Sequence, residues 1–374
     1  MLVFHPSAPV RGARRPLRPG MTLVELLTVA SVIAVLVAIL LPAMAAVREI
    51  SRRTACANSA RNLAKAFSVH DAGLGQIPGW RNVLEPYTSA QPGTPAGGGG
   101  QGACVSWAVP ILPYVGEKEI ADWYATFRTD RTATDDARLK RVTAFVCPSV
   151  IADSAAPLSY CVNGGNGGAV LSGSAPAARR QYTADGVCGD AAGNLPSQAW
   201  YVQVGQAATY APARMSLGAV SEGDGTSTTL LLAERTGTAA PSDVSWADHP
   251  LPAIADPGVA APKSAHAVLH SMAASSGLTP SSQAAAGWMT NRSDAAVRFP
   301  SSQHGKGFVA AFCDQHVAFV SDTIDEWVYA QLLTSNSAPG KLSDEVQRLQ
   351  RKPGTDGSVT DYVLDESDLG PRGR

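Results

Sequence analysis

Residues 20–41 read GMTLVELLTVASVIAVLVAILL and decide the fold, because this run is predominantly apolar and carries a single charge, Glu25. As an α-helix, the segment from Met21 to Leu41 would span about 30 Å, the thickness of a bilayer core. The run therefore predicts one membrane-spanning helix at residues 21–41, preceded by a leader at residues 1–20.

Arginines flank the apolar run on both sides. Four precede it, namely Arg11, Arg14, Arg15 and Arg18. Their excess favours a cytoplasmic N-terminus and an exported remainder. Three others, Arg48, Arg52 and Arg53, follow the run closely and weaken this asymmetry.

Glu25 needs a partner, because a carboxylate inside an apolar membrane helix costs about 2.5–3.5 kcal/mol by insertion scales. Cleavage after Gly20 would create a new amino group on Met21, which could pair with Glu25 of a neighbouring helix. Two other interpretations leave Glu25 unexplained. One is a plain signal anchor. The other is a secretory signal peptide cut near residues 43–45, whose apolar region would exceed the usual length of about 7–15 residues.

Beyond the apolar run, the pattern becomes that of an amphipathic helix over residues 42–72. Ala60, Leu63 and Phe67 recur at helical spacing, and the interspersed arginines fit a solvated face. Pro42 can kink a membrane helix without ending it. Glycines within residues 73–75 predict the end of the helix.

The rest of the chain predicts an α+β head at residues 73–335, mainly antiparallel strands with short helices, followed by a flexible tail at 336–374. Helices are expected at 117–127 and 324–333, and a loop at 91–102. Strands are expected at 141–147 and 226–233. A further short strand begins the stretch 159–168 and is followed by a glycine-rich turn. A hairpin is expected to join 307–312 with 316–321.

Composition limits the classes of function. Hydrophobic residues make up 45% and charged residues 16%, as in a folded protein. The formal net charge of -1 gives no reason to expect a nucleic-acid partner. No pair of the six cysteines has CxxC spacing, so we expect no zinc site. Cys147 and Cys161 fit either a disulfide or two buried thiols.

Few residues are candidates for chemistry. His304 and Asp314 fit either a polar or metal-linked pair across the hairpin, or a turn carboxylate beside a bracing histidine, and the second interpretation is favoured. Asp224 and Gly225 predict a tight turn before a strand rather than an anion site.

We expect no cofactor and no metal, and two alternatives are weak. Calcium bound by Asp314, Asp322 and Asp325 would lack EF-hand spacing. His266 and His270 would share a helix face but have no evident third ligand. Hydrolase and P-loop signatures are missing from the sequence, so it predicts no enzyme.

The sequence from Gly20 to Glu25 resembles the type IV prepilin signal, normally Gly-Phe-Thr-Leu-Val-Glu, with Met21 in place of phenylalanine. This resemblance implies that a prepilin peptidase cuts after Gly20 and methylates Met21. It also implies that Glu25 guides assembly with other pilin-like subunits in the inner (cytoplasmic) membrane.

Motifs in the head resemble, in their order, a large prepilin-like family called domain of unknown function 1559. They include Cys56, Ser106-Trp107, Cys147-Pro148-Ser149, Asp224-Gly225-Thr226-Ser227, Ala233-Glu234-Arg235, and His304 followed by Asp314. Two departures are Thr228, where the family usually has Asn, and Gln315, where it usually has Gly. Since Gln enters a left-handed turn less readily than Gly, we expect a different hairpin tip.

Two functions follow from the sequence. The first is a structural, pseudopilin-like subunit of a type II secretion or type IV pilus-like assembly. The second is a surface-displayed binding module or enzyme that uses the pilin-like N-terminus only for sorting, which a head of about 300 residues would allow.

Overall fold

A computed structural model gives the fold of part of the chain. The described residues are 21–83, 104–126, 140–150, 157–165, 186–189, 191, 214–235, 268–269, 300, 302–321, 324, 326–337, 352–353 and 359–360. The chain divides into two compact units, Met1–Ile50 and Ser51–Arg374. The predicted loop at 91–102 lies outside the described residues, as do Gly20, His266, His270, Asp322 and Asp325.

The N-terminal helix, α1, runs over Leu23–Leu74 and contains Pro42. It ends on Gly75, which has a φ of 68° and donates its N–H to the carbonyl of Asp71 at 2.7 Å. This left-handed cap confirms the helix end that the glycines predict. Within the described part of the chain, α1 alone is long and apolar enough to cross a membrane, which fits either an anchor or a signal sequence.

From Ser51 onward, α1 buries one face. Its buried side chains are Cys56, Ala60, Leu63, Ala64, Ala66, Phe67 and His70. The spacing of three and four residues confirms the predicted amphipathic pattern. On the opposite face Arg61 is exposed, while the guanidinium of Arg53 lies 3.3 Å from the centre of the Phe319 ring.

The head is built on a five-stranded sheet. Its strands are β3 (Tyr160–Asn163), β4 (Leu230–Glu234), β5 (Val268–Leu269), β6 (Gly307–Phe312) and β7 (Val317–Ser321). The order is β5-β3-β4-β6-β7, and every pairing is antiparallel except β3 with β5. This sheet and the long helix confirm the α+β class.

Smaller elements complete the fold. Two further antiparallel pairs join β1 (Arg81–Val83) with β2 (Cys104–Ser106), and β8 (Lys352–Pro353) with β9 (Val359–Thr360). The short helices are α2 (Ala108–Ile111), α3 (Lys118–Thr126), α4 (Leu217–Glu222) and α5 (Glu326–Leu333). Thus α3 and α5 confirm the helices expected at 117–127 and 324–333. The pair β8–β9 falls within the tail, whose flexibility remains a prediction.

Both faces of the sheet are buried. One face, here called the α1 face, packs against Leu63 and Phe67 of α1. The other, here called the α5 face, packs against Val328 and Leu332. This two-sided burial explains why β4 and β6 are almost entirely apolar. Along β6, Val309 and Ala311 point to the α1 face, and Phe308, Ala310 and Phe312 point to the α5 face.

A β-bulge in β4 changes which face its last residues meet. The register with β6 shifts between Leu230 and Leu232. As a result, the consecutive residues Leu231 and Leu232 both lie on the α1 face, and Ala233 lies on the α5 face. Because side chains alternate along a strand, the bulge turns Glu234 toward the α1 face.

Two predicted strands need correction. Residues 141–147 do not form a strand: Thr143–Phe145 is a 3-10 helix, and Phe145 and Cys147 are both buried in the core. The strand expected at 226–233 begins only at Leu230. The preceding threonines bond back to the turn instead, with Thr229 Oγ1 donating to the carbonyl of Gly225 at 2.8 Å.

The predicted hairpin of β6 and β7 is confirmed, with Gly307 paired to Ser321 and Ala311 to Val317. At its tip, Gln315 takes the left-handed conformation, with a φ of 73°. Its side-chain amide donates to Ser68 Oγ of α1 at 3.1 Å. Gln315 therefore keeps a glycine-like backbone and adds a contact that glycine could not make.

Candidate functional site

The first turn of α1 holds the only carboxylate of the apolar run. The backbone N–H and the hydroxyl of Thr22 both donate to Oε2 of Glu25 at 2.9 Å. In return, the N–H of Glu25 donates to Thr22 Oγ1 at 3.3 Å. This reciprocal capping box fixes the carboxylate at the start of the helix.

The exposed part of α1 also carries a shallow groove. Ala30, Ala34 and Ala38 form its floor at four-residue spacing, beside Ile33, Val37 and Leu41. Small side chains let the backbone of another helix approach closely in a membrane.

A second site is buried in the head, and we call it the Cys–Glu–His cluster: Cys56, Cys147, Glu234 and His304. One ligand atom from each residue lies within 4.8 Å of the others. Cys56 comes from α1, Cys147 follows the 3-10 helix, Glu234 ends β4, and His304 precedes β6. All four are at most 1% exposed.

Cys56 and Cys147 form a disulfide with a Cα–Cα distance of 5.1 Å. Cys147 therefore does not pair with Cys161, as one interpretation of the sequence had it. Cys161 is a buried thiol on the α5 face, where its Sγ lies 3.5 Å from the carbonyl oxygen of Ala233. Burial raises the pKa of this thiol to about 12, which makes it a poor nucleophile.

Only one of the two carboxylate oxygens of Glu234 accepts hydrogen bonds from the described residues. Its Oε2 accepts the hydroxyl proton of Ser302 at 2.8 Å and the N–H of Val309 at 3.4 Å. Among the described residues, Oε1 accepts no hydrogen bond, although it lies 3.4 Å from Nε2 of His304. That same nitrogen is 3.6 Å from Sγ of Cys147.

Neighbouring groups position the cluster. Ser302 bridges it, since its hydroxyl donates to Glu234 while accepting the N–H of His304 at 2.9 Å. The phenol of Tyr160 donates to the carbonyl of Cys56 at 3.0 Å. Burial, and then the charge of Glu234, raises the pKa of Tyr160, so this phenol stays protonated as a donor.

The structure gives His304 and Asp314 different partners. Asp314 lies in the β6–β7 turn, where its Oδ1 accepts the N–H of His316 at 3.0 Å and contacts Nδ1 of the same residue at 2.5 Å. This is the turn role that the sequence favoured for Asp314. His304 instead belongs to the Cys–Glu–His cluster.

The turn at Asp224 and Gly225 ties down the end of α5. The carboxylate of Asp224 accepts hydrogen bonds from the N–H of Ser337 at 2.8 Å and from the hydroxyl of Thr334 at 3.0 Å. Gly225 has a φ of 96°, which suits a tight turn. These contacts give Asp224 a structural role.

These features define a class of protein: an α+β head carried on a long, apolar N-terminal helix. The family model described as "Protein of unknown function (DUF1559)" matches residues 45–326, and the chain belongs to this family. The match includes the whole Cys–Glu–His cluster and begins after the apolar run. Comparison with curated proteins gave no match, and comparison with solved structures gave none either.

Proposed function

We propose that the protein is a pseudopilin-like structural subunit anchored in the inner membrane. In this proposal, prepilin peptidase cuts after Gly20, and the apolar helix then assembles with other pilin-like subunits. The observation that carries it is the first turn of α1, where the one carboxylate of an exposed apolar helix is fixed beside the proposed new N-terminus.

The capping box supports a role for Glu25 between subunits. Both bonds from Thr22 go to Oε2, so the second oxygen can accept from the Met21 amino group of a neighbouring subunit. Inside a membrane, such a pair offsets the penalty for two separate charges. The helix would thus associate in the register that brings the two groups together.

The groove along Ala30, Ala34 and Ala38 supports the same proposal. Helices in a membrane gain little from the hydrophobic effect and associate through close packing, which small residues permit. The proposal assigns the head a structural rather than a catalytic role, because the four residues of the Cys–Glu–His cluster are buried from solvent.

Processing is tested by mass spectrometry of the protein from isolated membranes. We expect an N-terminal peptide that begins at N-methylated Met21. The control is Gly20→Val in the full chain, which should leave residues 1–20 attached. An intact Met1 in the wild type, or a start after Ala45, would exclude prepilin processing.

Assembly is tested with Glu25→Ala. We expect the fraction of cross-linked or pelletable subunits to fall more than about tenfold, because the Met21 amine would lose its partner inside the membrane. Ser31→Ala is the matched control, since among the described residues the Ser31 hydroxyl bonds only to a carbonyl of its own helix, that of Thr28 at 2.7 Å.

Circular dichroism of the Glu25→Ala protein should show an unchanged head. Assembly of this variant at the wild-type level would reject the proposal, whatever the result for processing.

A further inference from the structure

We propose that the Cys–Glu–His cluster is a closed zinc site in the reduced chain, and that zinc binding and the Cys56–Cys147 disulfide are alternative states of one pocket. This inference is independent of the proposed function. It also departs from the sequence expectation of no zinc site, which rested on the missing CxxC spacing.

The donor set matches the chemistry of structural zinc. Zinc is bound by thiolate sulfur, imidazole nitrogen and carboxylate oxygen, and its structural sites have four protein ligands. The cluster offers two sulfurs, Nε2 of His304 and Oε1 of Glu234, all buried. Hard cations fit less well, since sulfur ligands disfavour calcium and magnesium.

Two of the donor separations match those between the ligands of a tetrahedral zinc ion. Ligand atoms at normal zinc distances stand about 3.3–3.8 Å apart. The nitrogen of His304 is 3.4 Å from Oε1 of Glu234 and 3.6 Å from Sγ of Cys147. All four ligand atoms lie within 4.8 Å of one another, so no separation has to shorten by more than about 1 Å, and the two sulfurs must part by about 1.5 Å once their bond is broken.

Glu234 supplies a second, independent indication. Burying a carboxylate is costly unless its oxygens are bonded, yet Oε1 accepts no hydrogen bond among the described residues and faces the cluster. The other oxygen is held by Ser302 and Val309. Such outer contacts orient a metal-binding carboxylate.

The two states interconvert by a balanced reaction. A dithiol transfers two electrons and two protons to the protein disulfide, which yields the thiols of Cys56 and Cys147 and the oxidised dithiol. Zinc then binds as both thiols release their protons to solvent. Reoxidation by a second disulfide compound reverses the first step and expels the ion.

The test uses the full chain in detergent, reduced with a dithiol and then titrated with Zn²⁺ alone. We expect one bound ion per chain. Co²⁺ in its place should give the visible bands of a tetrahedral site together with thiolate charge transfer. The oxidised chain should bind neither ion.

Single variants assign the ligands. Glu234→Gln keeps an acceptor for Ser302, and His304→Asn removes the imidazole. Each should weaken zinc binding by more than about tenfold, the lower limit for lost outer-shell contacts. Cys161→Ser, a buried thiol outside the cluster, should bind zinc as the wild type does.

Several results would overturn the proposal. They are a reduced, folded chain that binds no zinc, equal binding by the oxidised chain, wild-type affinity in Glu234→Gln, and loss of binding in Cys161→Ser. Near-ultraviolet circular dichroism gives one more test. If it shows that the reduced chain is unfolded in excess zinc, a closed zinc site that stabilises the fold is excluded.

Discussion

Trp107→Ala should lower the free energy of unfolding of the head by about 3–5 kcal/mol, the usual range for removing a large buried aromatic side chain. Trp107 is 0% exposed. Its ring lies 5.6 Å from that of Phe67 and 5.8 Å from that of Phe145. The Trp107 side chain therefore packs between three segments: α1, the start of α2 and the 3-10 helix Thr143–Phe145. The void left by Trp107→Ala cannot close unless all three segments move.

Trp107→Phe is the matched variant. It keeps an aromatic ring between Phe67 and Phe145 and removes an indole N–H that has no hydrogen-bond partner among the described residues. We expect it to cost less than half as much as Trp107→Ala. Denaturant unfolding in detergent, followed by near-ultraviolet circular dichroism, gives both values, and equal losses would show that ring packing does not account for the effect.

Loss of the Cys56–Cys147 disulfide should have an effect of similar size. The bond joins residues 91 apart. Cross-linking a loop of this length restricts the unfolded chain, which in the entropic account stabilises the fold by about 4.6 kcal/mol. With a chelator present to remove zinc, a Cys56→Ser, Cys147→Ser double variant should therefore lose about 2–5 kcal/mol.

A dithiol provides the control for that result. It should destabilise the wild type and Cys161→Ser by about as much as the double substitution does, and leave the double variant unchanged. A wild-type unfolding midpoint that is insensitive to the dithiol would mean that the bond does not stabilise the head.

Local patterns in the sequence were sufficient for elements whose causes are local. The end of α1 follows from the glycines at 73–75, and the β6–β7 hairpin follows from two apolar runs around a turn. Thr143–Phe145 forms a 3-10 helix that its local sequence does not distinguish from a strand, since Phe145 and Cys147, two residues apart, would also share one face of a strand. A short apolar run such as this one is equally typical of a β-strand.

The Cys–Glu–His cluster depends on long-range pairing. Cys147 is nearer in sequence to Cys161 than to Cys56, yet the two faces of β3 separate Cys161 from the α1 face. Glu234 enters the cluster because of a bulge that no sequence pattern revealed. The one available signal was a carboxylate at the end of an apolar strand, since buried acidic residues are rare without a partner.

The strand order of the head also bears on how the chain can fold. The central strand β4 lies between β3 and β6, so the core closes only after β6 and β7 have been made. About 160 residues separate the end of β3 at Asn163 from the end of β7 at Ser321, and their synthesis at about 5–20 residues per second takes about 8 to 30 s. Distant pairings of this kind also slow folding itself. Throughout that interval β3, which is buried in the folded head, has no completed sheet to enter, so if the head is exported, it has time to cross the membrane as an unfolded chain.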